Sequence, residues 1–149
     1  MEFQEIRSNY QDFFNMLPMD WQEIISPLWK FYADTANIYA LLDNNMIVAG
    51  GIVFKTTPPN RTDFEILIGD RYSSKGYHYI GFLYVDLDRR NEALGSRWLS
   101  ALKIQFPTQG YWLTIEEEAL KHFYIKNGFE VVQQSEDVDA PEWILVYYP

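Results

Sequence analysis

The pattern of apolar residues predicts an α/β (α+β) fold, with a central mixed, mostly antiparallel sheet of six or seven strands flanked by helices. Three observations point there. The chain has 149 residues, 48% of them hydrophobic and 17% aromatic, enough to fill a core without disulfides or a metal as staples. Runs of branched and aromatic residues, the signature of strands, alternate with segments of three-to-four-residue periodicity, the signature of helices. No repeat, low-complexity tract or linker interrupts this alternation, so residues 1–149 read as one domain.

Taken in order, Tyr10, Phe13, Phe14 and Leu17 recur at helical spacing, and Trp21, Ile24, Ile25, Leu28 and Trp29 repeat the pattern after Pro18. The first third therefore reads as two short helices. Asn37–Leu42 and Met46–Phe54 read as a hairpin, because Asp43, Asn44 and Asn45 suit a tight turn. Residues 55–63, with Pro58 and Pro59, read as an exposed loop. Phe64–Ile68 and Tyr77–Val85 are predicted strands, the second richer in aromatic and branched residues.

After the charged run from Asp86 to Arg90, Leu94, Trp98, Ala101, Leu102 and Phe106 mark one face of a helix. Tyr111–Ile115 follows as a strand. Thr114 and Glu117 have capping-box spacing for a helix that turns Leu120 and Phe123 inward and closes at Asn127 and Gly128. Phe129–Gln133 and Trp143–Tyr148 are the last strands, joined by an acidic loop from Ser135 to Glu142.

The net charge of −9 opposes general binding to nucleic acid or an anionic membrane, since the summed field repels phosphate. The lack of cysteine removes disulfides, thiolate zinc sites and a cysteine nucleophile together. Two histidines far apart leave no metal cluster, so no metal is expected. Neither a signal-like start nor an apolar run of membrane-spanning length is present, and a cytoplasmic protein is expected.

Three of the twelve basic residues, Arg89, Arg90 and Arg97, fall at the turn that opens a helix. The first N–H groups of a helix are unpaired and carry partial positive charge, so a pyrophosphate can sit there if small residues let it approach. Ala93, Gly95 and Ser96 are small. Gly95 could equally ease helix packing, and the arginines could form a solvated face. The segment is neither a P-loop nor a dinucleotide fingerprint, because both glycine patterns are missing. A serine-nucleophile elbow is missing as well.

Arg90-Asn91-Glu92-Ala93-Leu94-Gly95-Ser96-Arg97, following Val85 at the matching interval, resembles the pyrophosphate motif of the GNAT superfamily of acetyl-CoA-dependent N-acetyltransferases: Arg or Gln, two residues, Gly, one residue, then Gly or Ala. The run Ala119–Phe129 is similar to that family's Phe-Tyr-x-Lys-x-Gly-Phe segment, in the same order and at the usual separation. The resemblance covers Tyr79–Phe129, about a third of the chain. Ala93 stands where the family has its first glycine, Glu117 where many members have Asn, and Leu87 where Pro is common.

The resemblance implies a GNAT-like acyl-CoA acyltransferase fold and transfer of acetyl from acetyl-CoA, as co-substrate, to a primary amine that attacks the thioester directly. It implies that backbone groups of Leu83, Tyr84 and Val85 pair with the pantetheine arm in a gap beside the Tyr111–Ile115 strand. It further implies that Arg90, Asn91, Ala93, Leu94, Gly95 and Ser96 hold the pyrophosphate, that Lys126 reaches a phosphate, and that Tyr124 protonates the departing thiolate. An N–H of the Tyr77–Val85 strand would face the thioester carbonyl. For the proton the amine loses, His78, Glu65, Asp70 and Glu116 are all conceivable bases, and spacing selects none. The resemblance also implies an acceptor pocket at Trp21, Trp29, Tyr32 and the Pro58 region, although these aromatics could equally be core. His122 is assigned no role.

An acidic protein favours a cationic small-molecule or peptide amine. Its oligomeric state is open, a homodimer included. A rival of another class is a non-catalytic acyl-CoA-binding or interaction module with the same fold, and a further variant is an enzyme for a longer acyl donor.

Overall fold

The computed structural model describes all 149 residues. Seven strands form one sheet: β1 (Glu2–Ile6), β2 (Ala36–Asp43), β3 (Met46–Phe54), β4 (His78–Val85), β5 (Tyr111–Ile115), β6 (Glu130–Gln134) and β7 (Trp143–Tyr147). Their order is β1-β2-β3-β4-β5-β7-β6. Every neighbouring pair is antiparallel except β4 and β5, so the sheet is mixed and mostly antiparallel as the sequence predicts. Five α-helices accompany it: α1 (Tyr10–Phe14), α2 (Met19–Tyr32), α3 (Asp70–Ser73), α4 (Leu94–Gln105) and α5 (Leu120–Lys126).

Alternation along the strands sends side chains to two cores. Tyr39, Leu41, Val53, Tyr111, Leu113 and Leu145 pack against Leu94, Trp98, Leu99 and Leu102 of α4. The intervening residues Ile38, Ile52 and Phe54 pack against Phe13, Phe14, Ile25 and Trp29 of α1 and α2. On the same side as α1 and α2, Trp112, Ile144 and Val146 lie under Ile68. Trp98 locks α4 to the sheet by donating its Nε1–H to the Tyr39 carbonyl at 2.9 Å.

The hairpin turn is as expected, with Asn44 and Asn45 both at positive φ, the condition for the turn type that matches strand twist. Two expectations for the first half fail. The segment Glu2–Ile6 is an edge strand rather than part of a helical third; Phe3 and Ile6 face opposite cores, so no one-sided alternation betrays it. Phe64–Ile68 is not a strand. Residues 65–69 form a π-helical turn that runs on into α3, burying Glu65, Ile68 and Gly69 while Ile66 and Leu67 stay exposed. Gly69 is needed there because a methyl group would overlap the Trp112 ring beneath it.

Three smaller corrections follow. Pro58 is buried, so the loop of residues 55–63 is not wholly exposed. Thr114 caps no helix, since it lies within β5 and α5 begins later, at Leu120, without a side-chain cap. Leu120 points outward at 39% exposure. The other end of α5 behaves as predicted. Gly128, at φ +91°, closes a Schellman motif in which the Phe129 N–H bonds to the Tyr124 carbonyl and the two rings meet at 5.5 Å. No helix is long and apolar enough to cross a membrane.

Candidate active site

The site grows from a defect in the sheet. β4 and β5 are in register only at His78 with Tyr111 and Tyr79 with Trp112; beyond Tyr79 the two parallel strands diverge. On its other edge β4 carries a bulge, where Phe82 and Leu83 face the single residue Gly51 and Phe82 takes φ 55°. The bulge turns the far half of β4 away from β5. Leu83, Tyr84 and Val85 thus have backbone groups without a β5 partner, in the gap that the resemblance leads one to expect.

At the end of that gap a short 3₁₀ turn, Leu87–Arg89, leads into α4. The N–H groups of Leu94, Gly95 and Ser96 have no backbone acceptor, and no side chain caps them. Asn91 and Ala93 both adopt left-handed φ, 66° and 57°. For Ala93 this conformation costs about 1–2 kcal/mol through its Cβ, which accounts for the glycine that the resembled motif carries there.

The three arginines separate by partner. Arg89 is held by carboxylates, donating to Asp43 at 2.9 Å and to both oxygens of Glu92 at 2.7 and 2.9 Å; it ties the hairpin to the turn. Arg90 donates only to the Val85 carbonyl, at 3.0 Å, with its guanidinium 5.0 Å above the Tyr84 ring. It is exposed, as is Arg97, and neither is neutralised by a carboxylate.

Gly95 faces Phe123 of α5, whose ring would lie 2.9 Å from an added Cβ, so this glycine does serve helix packing. Ser96 accepts a hydrogen bond from the Asn127 amide at 3.1 Å, pinning the end of α5 to the start of α4. Lys126 is exposed, with its ammonium 5.7 Å from the Phe123 ring, on the rim of a groove of about 530 Å³ shared with Ser100, Lys103 and Tyr147. That groove lies along the second half of α4, away from the β4–β5 gap.

Two phenols from different elements lie near enough to influence each other electrostatically. Tyr124 comes from α5, on the α4 side of the sheet; burial pushes its pKa up to about 12. Tyr79 is in register with Phe54 and Trp112 and so points to the α1–α2 side, with its ring 4.7 Å from Trp112. Burial, then the nearby carboxylate of Glu65, drive the Tyr79 pKa well above its ordinary value, and the Tyr124 phenol adds to this. Trp21 of α2 closes the same side, packed edge-on against Phe82 and Tyr84, each at 5.8 Å. Of the other expected acceptor-side residues, Trp29 is core and Tyr32 packs on Phe54 at 5.5 Å.

Among the conceivable bases only Glu65 is joined by hydrogen bonds, through Thr114, to a residue at the edge of the gap. His78 stands at the paired end of β4 with its pKa lowered, mainly by burial; Asp70 is engaged by Arg61 at 2.7 Å; Glu116 is exposed. Glu65 accepts a hydrogen bond from Thr114 at 3.0 Å, and the Thr114 hydroxyl lies 3.1 Å from that of Tyr79. One pattern in the chain announces this carboxylate. Thr62 and Glu65 have capping-box spacing and exchange both bonds of that motif, each at 3.2 Å, so a helix start can be read there. No group of three or more histidine and carboxylate side chains is placed to hold a metal ion.

A seven-stranded mixed sheet that splays at its one parallel pair has close structural counterparts. An aminoglycoside 6′-N-acetyltransferase complexed with coenzyme A matches with a TM-score of 0.71 at 14% identity, covering 99% of this chain and 97% of the other. The chain has the GNAT fold. An aminoglycoside 6′-N-acetyltransferase from Enterococcus faecium aligns with a TM-score of 0.70 at 13% identity, covering 99% and 97%. An acetyltransferase of the GNAT family from Staphylococcus aureus aligns at 0.65, with 13% identity and coverage of 99% and 98%. No protein-family model and no curated protein matches the sequence. The likeness to the GNAT fold is thus one of backbone arrangement at identities where few side chains are shared.

Proposed function

We propose that residues 1–149 form a single N-acetyltransferase domain that moves an acetyl group from acetyl-CoA to the primary amine of a small molecule. The observation that carries this reading is the juxtaposition of the open β4–β5 gap with the uncapped start of α4. Backbone groups of Leu83, Tyr84 and Val85 pair with an extended arm much as a missing strand would. The free N–H groups of Leu94, Gly95 and Ser96, with Arg90 and Arg97, hold a pyrophosphate. The coenzyme A complex of a protein with the same fold supports a ligand of this kind.

In the reaction the amine attacks the thioester carbonyl, and an N–H on β4 near the bulge stabilises the developing oxyanion. The raised pKa of Tyr124 narrows its role. Burial raises its pKa to about 12, so the phenol stays protonated and can donate at neutral pH. Tyr124 therefore donates a hydrogen bond to the leaving sulfur, and the proton follows from solvent.

The net charge of −9 favours a cationic acceptor, in keeping with the aminoglycoside enzymes of the same fold. The test is release of free CoA from acetyl-CoA with spermidine, kanamycin and a lysine peptide as probes. Turnover with any of them supports the reading. Tight binding of acetyl-CoA with no CoA release would instead make the chain a binding module.

A further inference from the structure

Glu65 is an unusual carboxylate for a mostly acidic surface, being buried at 8% exposure on a π-helical turn. Such turns are rare and recur at functional positions. A capping box accounts for only one of its oxygens: Oε1 receives the Thr62 N–H, while Oε2 receives the Thr114 hydroxyl. Thr114 has a single hydroxyl proton. Since it is given to Glu65, the bond between Thr114 and Tyr79 must be donated by Tyr79. The direction of the chain is therefore fixed, from Tyr79 through Thr114 to Glu65. Its outer end is Tyr79, the last residue of β4 in register with β5, where the two strands begin to part.

We propose that this chain is a proton relay in which Tyr79 takes the proton of the attacking amine and Glu65, acting through Thr114, is its final acceptor. The inference rests on the acyl-transfer reading and extends it to the acceptor side. As the amine nitrogen bonds to the thioester carbon, its N–H proton passes to the Tyr79 oxygen. The Tyr79 proton moves to Thr114, and the Thr114 proton to Oε2 of Glu65, which becomes a neutral acid. Collapse of the tetrahedral adduct then breaks the carbon–sulfur bond, and the thiolate leaves with a hydrogen bond from Tyr124. After the products leave, the same chain run in reverse returns the proton from Glu65 through Thr114 and Tyr79 to solvent entering the gap.

Steady-state CoA release with the best of the three probe amines tests the relay. Glu65→Gln keeps the shape and an oxygen for one bond but cannot take a proton; kcat is expected to fall about 10²-fold. Binding of acetyl-CoA should be unchanged. Thr114→Val and Tyr79→Phe should lose similar factors, and Thr114→Ser should recover most of what Thr114→Val loses. The double variant Glu65→Gln/Thr114→Val should be no slower than the slower single, because members of one relay fail as a unit. Unchanged kcat in Glu65→Gln with only a lower melting temperature would overturn the relay and leave a helix cap. Losses that multiply in the double variant would overturn it too. If the wild-type protein turns over and these variants are indifferent, the relay alone is wrong; if it turns over no probe, the acyl-transfer reading falls and the relay with it.

Discussion

The two ends of the β4–β5 gap are built by different means. At the α4 end the groups left unpaired are backbone N–H groups and exposed arginines, set by an uncapped helix start and two left-handed residues. At the α1–α2 end the polar groups are side chains, two half-buried hydroxyls and a buried carboxylate, held by residues 79, 114 and 65 from three separate elements. A site made of backbone tolerates sequence change, since any residue but proline supplies an N–H. A site made of a few side chains does not. An arrangement of backbone groups can thus persist through sequence change, whereas the Tyr79–Thr114–Glu65 row depends on those three residues being kept.

Substitutions at the two ends should separate accordingly. The largest effect is expected from Tyr124→Phe, which removes the donor to the leaving sulfur and should lower kcat about 10²-fold at unchanged acetyl-CoA affinity. Steady-state rates beside calorimetric titration with acetyl-CoA would show it, and a change confined to affinity would place Tyr124 at the donor end instead.

Next in size is Arg90→Ala, which removes a cation free to meet phosphate and should weaken acetyl-CoA binding about tenfold, with kcat at saturation largely kept. Arg89→Ala is the control. Because Asp43 and Glu92 already neutralise Arg89, its loss should lower the melting temperature slightly and leave acetyl-CoA affinity alone. Equal losses of affinity from both would erase the distinction drawn between them.

Alkali probes the buried phenols. Tyr124 has a folded-state pKa raised to about 12 against about 10 in the unfolded chain, so its contribution to stability is fully present below pH 10. That contribution is lost as the pH rises through about 12, and Tyr79 and Tyr111, also raised by burial, act in the same direction. The melting temperature should fall steeply above pH 10, and less steeply in Tyr124→Phe. A flat profile would mean the phenols are open to solvent.

The smallest expected change is a gain. Ala93→Gly relieves the left-handed strain at the cost of a more flexible unfolded chain, for a net stabilisation of up to about 1 kcal/mol by thermal unfolding. It also removes a methyl group beside the N–H groups proposed to hold the pyrophosphate, so acetyl-CoA should bind no worse. A lower melting temperature would mean that Ala93 is not strained.

By itself the sequence determined the strand, turn and helix at the α4 end of the gap and the frame around them. The hairpin at Asn44 and Asn45, the strand–turn–helix from His78 to Gln105 and the Schellman close at Gly128 were legible because turn chemistry and periodicity act between near neighbours. Tertiary structure alone decided the rest. Phe64–Ile68 carries branched residues that suit a strand, yet packing on Trp112 makes it a helix with a π turn. Thr114 has the spacing of a cap for α5, yet β5 keeps it and turns its hydroxyl to Glu65. The pairing of residues 49 and 35 positions apart in the chain leaves no periodicity to read. The Tyr79–Thr114–Glu65 row was therefore hidden for a physical reason: it consists of long-range side-chain bonds, which exist only once the sheet has brought their owners together.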